Sequence, residues 1–130
     1  MERSEIIVLD THVWLWWISD PDQLSIPALE AVDLAAENSV VYISTISAWE
    51  LSLLVSRKRV QLTLDVSAWI SRCEALPFLH FVPVDNLIAL KSNLLSNYQY
   101  RDPADRIIIA TALTLNATII TKEISRPVNS

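Results

Sequence analysis

The stretch Ile6-Ile7-Val8-Leu9-Asp10-Thr11 decides the fold. Four consecutive apolar residues leave no polar face, which suits a strand buried on both sides within a parallel sheet. The run stops at Asp10, and residues 11–18 continue as a short Trp-rich helix. A strand that ends on an acid and passes straight into a helix puts that acid at the carboxyl edge of the sheet. Sites of open α/β folds form at that edge.

The same alternation continues outward. Ser25-Ile26-Pro27 opens a helix reaching about Asn38, with Pro in its first turn. Residues 40–43 are β-branched and aromatic and predict a second strand. Residues 47–57 and 66–76 follow as helices, the second capped by Asp65 or Ser67. Residues 81–84 predict a third strand, 85–95 a helix and 97–101 a polar loop. Asp102-Pro103 opens a helix ending near Leu115, and Asn116 stands where the exit needs a left-handed residue. Residues 117–121 predict a fourth strand. The expectation is a single α/β domain over 1–130, with a central parallel sheet of four or five strands and helices on both faces.

Composition narrows the function. The 130 residues include no glycine, although average usage is roughly 7%. Phosphate loops of the P-loop type and dinucleotide fingerprints need glycine backbone, so both are excluded. No apolar run approaches the ~20 residues of a membrane-spanning helix. The charged amino terminus is unlike a signal peptide. One cysteine, Cys73, allows neither an internal disulfide nor a cysteine zinc cluster, and a cytoplasmic setting is expected. The net charge of −5 argues against broad nucleic-acid binding, unless clustered acids hold a cation that cancels them locally.

Five acids fall where the predicted elements meet the carboxyl edge. Asp10 ends the first strand, and Glu50 comes early in the helix after the second. Asp102 and Asp105 start the helix leading into the fourth strand, and Glu123 follows that strand. Glu50, Leu53, Leu54 and Arg57 share one helix face, as do Asp105, Ile108, Ile109 and Ala112. A carboxylate heading a buried stripe is costly without a partner, and a cation is one such partner. Four of these acids also have a plainer reading. Ser47-Ala48-Trp49-Glu50 has the form of a capping box. Asp10 could cap the Trp-rich helix, Asp102 the helix opened by Pro103, and Asp105 could serve that same helix end. Convergence on one edge favours a metal site, and carboxylates without clustered Cys or His suit Mg2+ or Mn2+.

Three segments carry a family resemblance: Leu9-Asp10-Thr11-His12-Val13-Trp14-Leu15-Trp16-Trp17, Ile46-Ser47-Ala48-Trp49-Glu50-Leu51, and Arg101-Asp102-Pro103-Ala104-Asp105-Arg106-Ile107-Ile108-Ile109-Ala110-Thr111-Ala112. In order and spacing they resemble the PIN-domain toxins of the VapC type, across residues 6–122. The resemblance implies a PIN fold and a Mg2+-dependent endoribonuclease. It implies the toxin half of a type II toxin–antitoxin pair, cleaving RNA phosphodiester bonds with metal-activated water. Its implied partners are RNA, a cognate antitoxin and a second copy of the chain, with DNA reached only through the antitoxin and no membrane. Carried over, Asp10, Glu50 and Asp105 match the family's core acids, and Asp102 matches an auxiliary one. Glu123 stands where the family often has Asp. Only seven residues follow it, where the family usually continues through another turn and a closing strand. The alternative expectation is a PIN-fold binding module whose shortened end has weakened catalysis.

Arg101, Arg106 and Lys122 flank the proposed site and could hold phosphates, as could the hydroxyls of Thr11 and Thr121. Arg106 could instead pair with Asp102 at i, i+4. Tyr98 and Tyr100 could stack bases. Arg57-Lys58-Arg59 reads as a solvated helix end. Most of the five tryptophans should be core, but adjacent Trp16 and Trp17 cannot face the same way, so one is expected at the surface.

Overall fold

The computed structural model describes residues 6–95 and 102–121, and the backbone of 125–127. Strand β1 (Ile7–Leu9) lies at the centre, parallel to β2 (Val41–Ser44) on one side and β4 (Thr118–Ile120) on the other. Strand β3 (Leu79–Val82) continues the parallel set beyond β2. A fifth strand, β5 (Ser125–Pro127), closes the β4 edge and runs antiparallel, so the order is β3-β2-β1-β4-β5. The parallel part of the sheet therefore has four strands.

Side chains of β1 alternate between two cores. Ile7 and Leu9 join Trp14, Val32, Ile43, Leu51 and Trp69 on one face. Those residues come from α1 (Thr11–Ser19), α2 (Ile26–Asn38), β2, α3 (Thr45–Ser56) and α4 (Val66–Glu74). Val8 points to the other face, against Ile108, Ile109 and Ala112 of α6 (Pro103–Leu115) and Ile119 of β4. Burial on both faces is why Ile7, Val8 and Leu9 are all apolar; Ile6, just before the strand, is exposed. Helix α5 (Asn86–Asn93) packs mainly on α6. Among the described residues, no helix is long and apolar enough to cross a membrane.

Several expected boundaries move for local reasons. Ser44, not Ser47, caps α3, accepting from the Ile46 N–H at 3.2 Å, so this helix starts two residues early. β3 stops at Val82 because Pro83 has no N–H to offer a ladder. The next N–H, that of Val84, is spent on the Thr45 hydroxyl at 3.1 Å. Asp65 caps α4, as one of the two expected choices. A 3-10 turn at Pro21–Gln23, which the sequence pattern did not announce, joins α1 to α2.

The chain turns without glycine at two left-handed residues, Lys58 (φ 60°) and Asn116 (φ 53°). After α3, the Lys58 N–H reaches the Val55 carbonyl and the Arg59 N–H reaches that of Leu54, at 3.0 and 2.9 Å. After α6, Asn116 and Ala117 close the same kind of turn on Leu113 and Ala112. Asn116 was foreseen; Lys58 was not.

Trp14 is fully buried, with Trp69 and Phe81 rings at 5.1 and 5.5 Å. Its indole N–H has the Cys73 thiol, a weak acceptor, as its neighbour, and makes no well-formed hydrogen bond among the described residues. Burial pushes the Cys73 thiol up, which favours its neutral form in the core. Trp16 and Trp17 both keep part of their surface in solvent, and neither is fully exposed. Both are half-buried against the first core. Trp16 rests on His12, while Trp17 meets Phe78 and donates to the Asp33 carboxylate at 3.0 Å. Adjacent rings on α1 splay to either side, and each keeps an edge on the core. The exposed tryptophan is Trp49, on α3.

Candidate metal centre

Strands β1, β2 and β4 end on one edge, where α1 and α3 begin. Helix α6 runs back toward the start of β4, so its own first turn lies there too. Asp10 follows β1 directly. Its N–H donates to the Ile120 carbonyl at 3.2 Å, pinning the exits of β1 and β4 together. Its Oδ1 accepts from the Val13 N–H at 2.9 Å and caps α1. Asp102 caps α6 by accepting from the Ala104 N–H at 2.9 Å. Asp105 occupies the first turn of α6, above the buried Ile108, Ile109 and Ala112.

Glu50 lies in the second turn of α3, because that helix begins at Thr45. The capping-box alternative therefore fails: Ser47 is inside the helix and Glu50 is too far along it. Ser47 is buried, with its Oγ 2.9 Å from Thr11 Oγ1, and Thr11 in turn hydrogen-bonds Glu50 Oε1.

Oxygens of Glu50, Asp102 and Asp105 come within 4.8 Å of one another. Asp10 is outside this trio, but its charge still acts on Asp105. Partial desolvation, then the negative charges of Asp102, Glu50 and Asp10, push the Asp105 carboxyl up to about 6 from 3.8. Repulsion among close carboxylates is relieved by a proton or by a cation. The positive ends of the helices starting here favour the ionised, cation-binding form.

The remaining expected site residues divide. Thr121, half-buried, follows β4 on the same edge. Arg106 is half-buried, and its Nε and Nη2 donate to the Ser92 and Leu95 carbonyls at 3.1 and 3.0 Å. It thus clamps α6 to the end of α5. Thr11 is buried against Glu50. Glu123, Arg101, Lys122, Tyr98 and Tyr100 lie outside the described residues. Ser47 is the site neighbour that sequence reasoning assigned to a cap. Its signal was its place one turn before Glu50, together with a second cap residue, Ser44, available upstream.

Fold and acid cluster define the class: an α/β protein with clustered carboxylates at its carboxyl edge, the kind of site metal-dependent nucleases use. The PIN domain family model matches residues 7–124. Ribonuclease VapC22 of Mycobacterium tuberculosis is 32% identical over 117 residues, covering 90% of this chain and 86% of that protein. The structure of VapBC2 from Rickettsia felis, bound to a DNA fragment from their promoter, has a TM-score of 0.60 at 20% identity. That match covers 88% of this chain and 84% of the other. FitAcB from Neisseria gonorrhoeae has a TM-score of 0.56 at 26% identity, with 88% and 85% covered. The chain belongs to the PIN-domain family, and it is similar to a ribonuclease of the VapC group.

Proposed function

We propose that the chain is a divalent-metal-dependent endoribonuclease and the toxin of a type II toxin–antitoxin pair. The observation carrying this reading is the approach of Glu50, Asp102 and Asp105 to within 4.8 Å at the carboxyl edge. Hard carboxylate oxygens make up this set, which fits Mg2+ or Mn2+ rather than a thiol- or imidazole-seeking metal. Asp105 and Asp10 are the proposed principal ligands, with Glu50 and Asp102 beside them and Glu123 as a further one. A cation held there supplies Lewis acidity, acidifying water and neutralising charge on the scissile phosphodiester.

The chain's own groups do the rest. A cation bound there would hold Asp105 in its ionised form, offsetting the repulsion from Asp102, Glu50 and Asp10. Thr121, Arg101 and Lys122 are the proposed phosphate contacts. Arg106 and Thr11, engaged with α5 and Glu50, contribute through position. Leu87, Leu90 and Leu94 form an exposed apolar stripe on and just beyond α5, which suits a protein partner. The proposed partners are an antitoxin and a second copy of the chain, with DNA contacted through the antitoxin and the cytoplasm as the working compartment.

The test is cleavage of a generic RNA with Mg2+ or Mn2+. EDTA should suppress cleavage, and Asp10→Asn and Asp105→Asn should each abolish it while the fold remains intact. Unchanged metal-dependent cleavage by both variants would overturn the assignment.

A further inference from the structure

We propose that Ser47 and Thr11 form a two-hydroxyl relay that positions the Glu50 carboxylate for the cation; this rests on the metal-site reading above. Ser47 is 0% and Thr11 2% exposed, so neither hydroxyl can turn to bulk water. Buried hydroxyls need internal partners. Thr11 Oγ1 has two, Ser47 Oγ at 2.9 Å and Glu50 Oε1, but only one proton to give. An ionised carboxylate can only accept. Thr11 therefore donates to Glu50, and Ser47 donates to Thr11.

Placement gives the relay its use. Thr11 is the first residue of α1, directly after Asp10. Ser47 sits one turn before Glu50 on the same face of α3. The hydrogen bonds thus join the helix start that carries Asp10 to the helix that carries Glu50. Glu has one more rotatable bond than Asp, and the charges of Asp102 and Asp105 would drive its carboxylate outward. A donor on Oε1 holds it in place before any cation arrives. Packing alone would be served as well by Val at 11 and Ala at 47, so the hydroxyls themselves distinguish the two roles.

Mn2+ titration calorimetry on the purified chain tests this, with melting in EDTA as the check on folding. Thr11→Val keeps the shape and removes the hydroxyl; it should weaken Mn2+ binding by roughly tenfold or more. Thr11→Ser restores the donor and should stay within about threefold of the parent, well inside the usual cost of losing an outer-shell partner. Ser47→Ala should lose several-fold, and adding it to Thr11→Val should cost nothing further, because the relay is already cut. Parent-like binding by Thr11→Val, equal losses for Thr11→Ser and Thr11→Val, or full additivity would overturn the relay while the metal site stands. A parent chain that binds no Mn2+ would overturn the metal-site reading and the relay with it. Should Thr11→Val not fold, Ser47→Ala and Thr11→Ser decide alone: loss in the first with retention in the second supports the relay, and any other pairing rejects it.

Discussion

Replacing Asp105 with Asn should make the metal-free protein more stable while removing a proposed metal ligand. The folded carboxyl is raised from 3.8 to about 6, first by partial desolvation and then by Asp102, Glu50 and Asp10. Below about pH 4 both folded and unfolded chains hold this proton, and the group contributes no slope. Between about 4 and 6 the folded state keeps a proton that the unfolded chain has lost, so stability falls as pH rises across that window. Above about 6 the penalty is complete and constant. Full conversion of the displacement gives about 3 kcal/mol. Asp105 is an exposed residue, and solvent screening brings the expected penalty to about 1 kcal/mol. Asn is neutral throughout and carries no such penalty. In EDTA at pH 7.5 the variant should melt about 4 °C higher than the parent, and the gap should close by about pH 4. Saturating Mn2+ should reverse the order, since a ligand at a hundredfold its Kd adds about 2.7 kcal/mol to a chain that binds it. Scanning calorimetry from pH 4 to 8, with chelator and then with Mn2+, reads both effects. A variant no more stable than the parent at pH 7.5 in EDTA, or two parallel pH curves, would refute the reasoning.

Two further outcomes follow from the same structure. As the proposed ligand, Asp105 would bind a cation only in its ionised form, so Mn2+ affinity should drop about tenfold from pH 7 to 5. Calorimetry in buffers of different ionisation heat should then count a released proton at the lower pH and almost none at the higher. At the two left-handed turns, Lys58→Gly should raise stability by about 1 kcal/mol and Asn116→Ala should lower it by about as much. Urea unfolding checks both; a null or opposite result at either position would deny that its left-handed backbone is costly.

What could be read from the sequence was what carries a local mark. β1 shows as an apolar run cut off by an acid, and α6 by Asp102-Pro103 at one end and Asn116 at the other. Once strands and helices alternate, topology alone brings Asp10, Glu50 and the start of α6 to one edge. The misreadings arise where two local answers are equally good. Ser44 and Ser47 both have cap chemistry, and only the contact with Thr11 draws Ser47 inside. The apolar stretch around Phe81 and Val82 has no internal marker of register, so β3 was placed two residues late. β5 has no strand signal in Ser125-Arg126-Pro127; it exists because the edge of β4 offers pairing groups. That Asp102, rather than Asp10, joins the tight trio depends on packing distances that no spacing rule supplies.

Asp10 and Asp102 each hold a helix start as well as standing in the acid cluster. Alanine at either place would remove a cap worth about 1 kcal/mol along with the charge, mixing a folding defect into any loss of activity. Asn caps about as well as Asp, so it separates the two roles. The same double duty shapes how such a chain can diverge. Selection for folding alone would keep Asp or Asn at 10 and 102 long after a need for cleavage had lapsed. Glu50 and Asp105, which cap no helix, would be the first acids released to change.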